Sequence, residues 1–140
     1  MAERGYEFFD HTADVGITAT GETLDALFVH MAQGLIELIA ENSRLEPRQK
    51  RLIQLEAEST ASLLLAWLKE LLFWFSSDGF LPARFEIDDV TPTTLRGRVV
   101  GEAFDPLRHV SGTEVKGITR HQLRVKRVDD GWEAHVIVDV

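Results

Sequence analysis

The sequence contains no cysteine. Disulfides, thiolate nucleophiles and cysteine-ligated zinc are therefore excluded, and an intracellular, cytoplasmic location is the simplest expectation. No apolar run is long enough to span a bilayer, and the opening MAERGYEFFD has no apolar signal core, so no membrane role is expected. Cations are scarce: 15 Lys and Arg stand against 23 Asp and Glu, a formal net charge of −8. Nucleic-acid clamps draw affinity from cations that neutralise phosphates. A free-standing RNA or DNA binder is disfavoured, whereas divalent cations and basic protein surfaces suit the charge. GxxxxGKS/T, GxGxxG, HExxH and GxSxG are all missing. Nucleotide binding or hydrolysis through those devices has no support.

Repeats, low-complexity tracts and Pro/Gly-rich linkers are absent too, which predicts one domain over residues 1–140. GYEFF reads as a short strand and DVGITAT, with Val15, Ile17 and Ala19 on one face, as a second. Thr23 is a plausible N-cap. Leu24, Leu27, Phe28, Met31, Leu35, Leu38 and Ile39 then recur at steps of three and four, predicting an amphipathic helix over 24–41. RLIQLEAE alternates as a strand with one wet face. Ser59 or Thr60 caps a second helix, ASLLLAWLKELLFWFSS, which Gly79 ends. That helix is apolar nearly all round, so it is buried on several sides or meets a partner.

Two hairpins follow, ARFEIDDV with LRGRVVGEAF and VKGITRHQLRVKRV with WEAHVIVDV, the second turning at Asp130-Gly131. The order ββαβαββββ predicts an α+β fold, a mixed or antiparallel sheet covered by two main helices.

Chemistry gathers in four places. Asp10, His11 and Asp14 interrupt the apolar run FFDHTADVGI. Carboxylates suit Ca²⁺ or Mg²⁺, and Mn²⁺ or Zn²⁺ also accept imidazole. The plainer reading is a turn in which Asp10 and Thr12 bond nearby backbone and His11 donates to a carbonyl. Asp139 and the Val140 carboxylate end a strand whose outward set is Glu133, His135, Ile137 and Asp139. They are either held as ligands at a sheet end or exposed on a frayed terminus. In SGTEVKGIT, Glu114 and Lys116 share one strand face, as a phosphate-facing cation with its neighbour or as a surface ladder. In EAFDPLRH, Arg108 and His109 read as a solvated loop, and His30 and His121 as structural.

Taken in order, YEFFDHTADVGITATGETLDALF, LLLAWLKELLFWF, GEAFDPLRH, GTEVKGIT and a terminal VIVDV resemble the archease family from Tyr6 to Val140. The resemblance implies a small α+β protein that assists the RtcB-type RNA ligase. That ligase joins a 3′-phosphate or 2′,3′-cyclic phosphate RNA end to a 5′-hydroxyl with GTP and Mn²⁺, in tRNA splicing and RNA repair. Archeases promote guanylylation of the ligase histidine and its repeated turnover; they are not enzymes themselves, and they meet RNA only through the ligase. The resemblance also implies a divalent metal site on Asp14 and Asp139, with His11 and Asp10 alongside; the Val140 carboxylate, from the reading of the terminus, would join them. The GTEVK lysine is Lys116, with Glu114 beside it. Relatives read GTEVKAIT where this chain has Gly117.

Asp14 and Asp139 can act together only if the first and last strands are neighbours. Two other readings stand beside this one. A chaperone-like or interaction module would present the apolar helix through Trp67, Phe73, Trp74 and Phe75. A metal-dependent hydrolase would use Asp14 and Asp139 as ligands and His11 as base.

Overall fold

The computed structural model describes residues 5–11 and 14–140, with the backbone alone at Asp10 and His11. Its elements run β1 (Tyr6–His11), β2 (Asp14–Gly21), α1 (Leu24–Ile39), β3 (Gln49–Glu56), α2 (Thr60–Asp78), β4 (Phe80–Val90), β5 (Thr94–Ala103), β6 (Gly117–Val128) and β7 (Gly131–Asp139). This is the α+β order ββαβαββββ that the periodicity predicts. The strands form two antiparallel sheets, β1-β2-β7-β6 and β3-β5-β4.

Both helix starts follow from a hydroxyl accepting an orphan N–H. Thr23 Oγ1 accepts from Ala26 N–H at 3.2 Å, and Ser59 Oγ, of the two expected candidates, accepts from Ser62 N–H at 3.1 Å. Gly79 ends α2 at φ +72°, a left-handed turn that a Cβ would strain, and its N–H donates to Phe75 O. α1 stops at Ile39, short of the predicted 41.

Both helices touch both sheets, which explains why α2 is apolar nearly all round. Leu63, Leu64, Trp67, Leu68 and Leu71 are fully buried, and Trp67 Nε1–H donates to Phe28 O at 2.9 Å, tying the helices together. Trp74 is buried as well and Phe75 packs half-buried on the core; Phe73, at 60% exposure, is the outward aromatic of this helix. Most of the apolar surface of α2 is thus spent inside the fold.

Strand ends move where tertiary context overrides the local pattern. β4 begins at Phe80 rather than Ala83 and carries Pro82, because it is an edge strand whose register shifts between Pro82 and Arg84. β3 runs 49–56 rather than 51–58. β6 begins at Gly117 rather than Val115, so Glu114 and Lys116 lie in a loop and not on a strand face. Within β6 the register jumps from Thr119 opposite Ile137 to Arg124 opposite His135, a bulge across which the apolar positions change parity, from Ile118 to Leu123 and Val125.

Candidate functional site

The four-stranded sheet buries Ile17, Ala19, Ala134, Val136 and Val138 against the helices. A one-residue slip between β2 and β7 would turn this whole set outward, so the register is strongly fixed. That register sets Val15 opposite Val138, Ile17 opposite Val136, and Asp14 opposite Asp139. Directly opposed residues of an antiparallel pair have Cβ atoms about 5 Å apart. Two carboxylates from opposite ends of the chain are therefore held side by side by the apolar ladder behind them. Asp14 is half-buried and Asp139 exposed.

The neighbouring strands extend this row. On one side His11 holds the register position opposite Asp14, with Asp10 opposite Val15; the side chains of both lie outside the described residues. On the other side Gly117 stands opposite Asp139, and Lys116 N–H donates to Asp139 O at 2.7 Å. Lys116 and Glu114 are exposed, and the Val140 side chain packs half-buried on the core.

The segment that delivers Lys116 is pinned along its length. Gly112 N–H and Thr113 N–H donate to Ile39 O and Leu38 O at 2.9 and 2.7 Å, satisfying carbonyls that the last turn of α1 leaves open. A Cβ on Gly112 would stand 2.2 Å from Leu38 O, so only glycine allows this approach. Val110 N–H donates to Ser43 Oγ at 2.7 Å.

Upstream, the segment is anchored on Glu102, which is 2% exposed. One carboxylate oxygen accepts from Glu46 N–H at 2.7 Å and faces His109 Nε2 at 3.0 Å; the other receives Arg108 and lies 3.5 Å from Arg48 Nε. Burial pushes the Glu102 carboxyl up, but hydrogen bonds from Arg108, Glu46 N–H and His109 outweigh it and hold its pKa at about 2. His109 Nδ1 accepts from Asp105 N–H at 2.8 Å, so its ring proton sits on Nε2 and is donated to Glu102. His109, 4% exposed, is thus a buried anchor and not the solvated loop residue expected from EAFDPLRH. Sequence reasoning missed Glu102 altogether. Its partners lie as far as 56 positions away, and no local pattern marks it.

As a donor set, Asp14 and Asp139 offer hard oxygens of the kind Ca²⁺, Mg²⁺ and Mn²⁺ accept. Among the described residues no group of three His, Cys, Asp or Glu converges on one point. The pair fits a divalent ion as part of a ligand set, and further donors must come from His11, Asp10, the Val140 carboxylate or a partner. Among the described residues no helix is long and apolar enough to cross a membrane.

Residues 6–140 match the archease protein family (MTH1598/TM1083). The chain is 35% identical to protein archease of Pyrococcus furiosus over 141 residues, covering 98% of this chain and 99% of that one. It is 32% identical to protein archease of Sulfurisphaera tokodaii over 136 residues, covering 96% and 98%. Among solved structures it resembles protein 1598 of Methanobacterium thermoautotrophicum, with TM-score 0.83, 33% identity, and 99% and 100% of the two chains covered. It shares the fold of an archease from Thermotoga maritima described as a possible chaperone, with TM-score 0.64, 20% identity and 94% of each chain covered. With matches that span nearly its whole length, the chain belongs to the archease family.

Proposed function

We propose that this chain is a metal-bearing protein activator of the RtcB-type 3′-phosphate RNA ligase. It would promote guanylylation of the ligase histidine and repeated turnover in cytoplasmic tRNA splicing and RNA repair. The single observation that carries the reading is the register of Asp14 against Asp139. Family membership supports the choice of the ligase as the enzyme the pair would serve.

Asp14 and Asp139 would hold a divalent ion, calcium, magnesium or manganese, with His11 and the Val140 carboxylate as further donors. When bound, such an ion supplies positive charge at a phosphate under attack. Lys116, tied through its N–H to Asp139 O, stands ready as a second cation at the same end of the sheet. The net charge of −8, with Glu114 and Asp10 near the site, favours docking on a basic, RNA-handling partner. In this activity the RNA substrate is handled by the ligase, and the part of this chain is to position charge.

Single-turnover labelling of the cognate ligase with GTP tests this. Wild-type protein should accelerate labelling, and Asp14→Ala and Asp139→Ala should fold yet fail to do so. Full stimulation by both variants would overturn the proposal.

A further inference from the structure

The outward face of the four-stranded sheet carries a second constellation, displaced along β7 from Asp139. A face turned to solvent is expected to alternate polar. Ile137 lies on that face, opposite Gly16, yet is 0% exposed. The Phe9 ring occupies the space above Gly16, where a Cβ would meet it at 2.0 Å. The same ring meets His135 edge-on, with centroids 5.5 Å apart. Beside them the β6 bulge lifts Gln122 into a left-handed backbone, φ +56°. Such a conformation is uncommon for a residue other than glycine, and strain of this kind collects at binding sites. Bulges likewise gather where a side chain must be re-aimed.

Phe9, Gln122, Leu123, Arg124 and His135 line one cleft of about 470 Å³, within the size range of small-molecule sites. Its polar groups point to the ligand. Thr18 Oγ1 lies 3.0 Å from His135 Nδ1, which fixes the ring and leaves the second nitrogen for another partner. Burial, then Arg124 and Lys126, push the His135 pKa down against the pull of Glu133. Glu133 is paired with Lys126 at 3.3 Å, and Glu7 stands on β1 beyond Thr18. Arg124, which has no ion-pair partner among the described residues, lines the cleft as its cation.

We propose that this cleft binds a mononucleotide unit, with a planar base against Phe9 and Leu123 and a phosphate on Arg124 with the Gln122 amide. Bases stack on aromatic side chains without regard to sequence, and guanidinium groups pair phosphate oxygens. The ligand is a free nucleotide or the last nucleotide of an RNA strand, two sources of one chemistry. The inference goes beyond the activator reading and does not depend on it.

Amide and aromatic NMR resonances of the full chain should be followed during titration with GMP, AMP, inorganic phosphate and a short RNA bearing a 3′-phosphate. Nucleotide or RNA should shift Phe9, Gln122, Leu123, Arg124 and His135, and whichever ligand saturates first identifies the source. Arg124 is exposed, so Arg124→Ala should keep the fold and weaken binding about tenfold, the worth of one charge-assisted hydrogen bond. Phe9→Leu should weaken nucleotide and leave phosphate unchanged. The proposal falls if these resonances stay still at millimolar nucleotide. It also falls if inorganic phosphate moves them as far as nucleotide does, or if Arg124→Ala binds as well as wild type.

Discussion

Asp14 and Asp139 face each other across the β2–β7 ladder, although 124 positions of chain separate their places in the sequence. Like charges directly opposed in a sheet are destabilising, and buried Val136, Val138 and Ile17 hold them together regardless. In metal-free buffer Asp139→Asn should therefore be more stable than wild type by about 0.5 kcal/mol. Adding Ca²⁺ or Mn²⁺ should reverse the order, because only the wild type gains binding free energy in the folded state. Denaturant titrations with and without divalent ion measure both halves. A variant that is less stable without metal would show that the pair is not under repulsion.

Glu102 predicts an acid limb. Its folded-state pKa, about 2, lies below the ordinary 4.5, so the unfolded chain binds that proton more readily. The stabilisation is complete above the ordinary value and is lost as pH falls towards 2, amounting to on the order of 3 kcal/mol. Glu102→Gln should lower stability at pH 6 and flatten its decline between pH 5 and pH 2, read from urea midpoints. A variant with the same acid limb as wild type would remove Glu102 from the account.

Two glycines of the Lys116 segment should behave oppositely. Gly112→Ala brings a Cβ to 2.2 Å from Leu38 O, a backbone atom, and should destabilise by about 2 kcal/mol. At Gly117 a Cβ meets nothing within 4 Å, and alanine should be neutral or stabilise by about 0.5 kcal/mol. Thermal unfolding of the two variants decides. Equal effects would mean that the segment is not packed as described.

These contrasts show what could be read in the sequence. The element order was legible because each unit carries its own period: Leu27, Phe28, Met31 and Leu35 at helical steps, Val15, Ile17 and Ala19 at alternate positions, Gly79 and Gly131 as stops. The meeting of Asp14 with Asp139 was legible only as a condition on the resemblance, since pairing of first and last strands is a property of topology. Glu102 and His109 were not legible. The same Glu–His pair is ordinary on a wet loop, and only the approach of residues 46–48 encloses it. The β6 bulge was hidden for a related reason. The run from Gly117 to Val128 changes the parity of its apolar positions between Ile118 and Leu123, but four polar residues separate the two, and the lost register is plain only against β7.

The central claim is that two carboxylates joined by strand pairing share one divalent ion. Isothermal titration of Mn²⁺ and of Ca²⁺ into the full chain, its Asp14→Asn and its Asp139→Asn variants measures this directly. The account predicts one ion per wild-type chain, and loss of that binding when either aspartate is neutralised. Undiminished binding by both variants would contradict it.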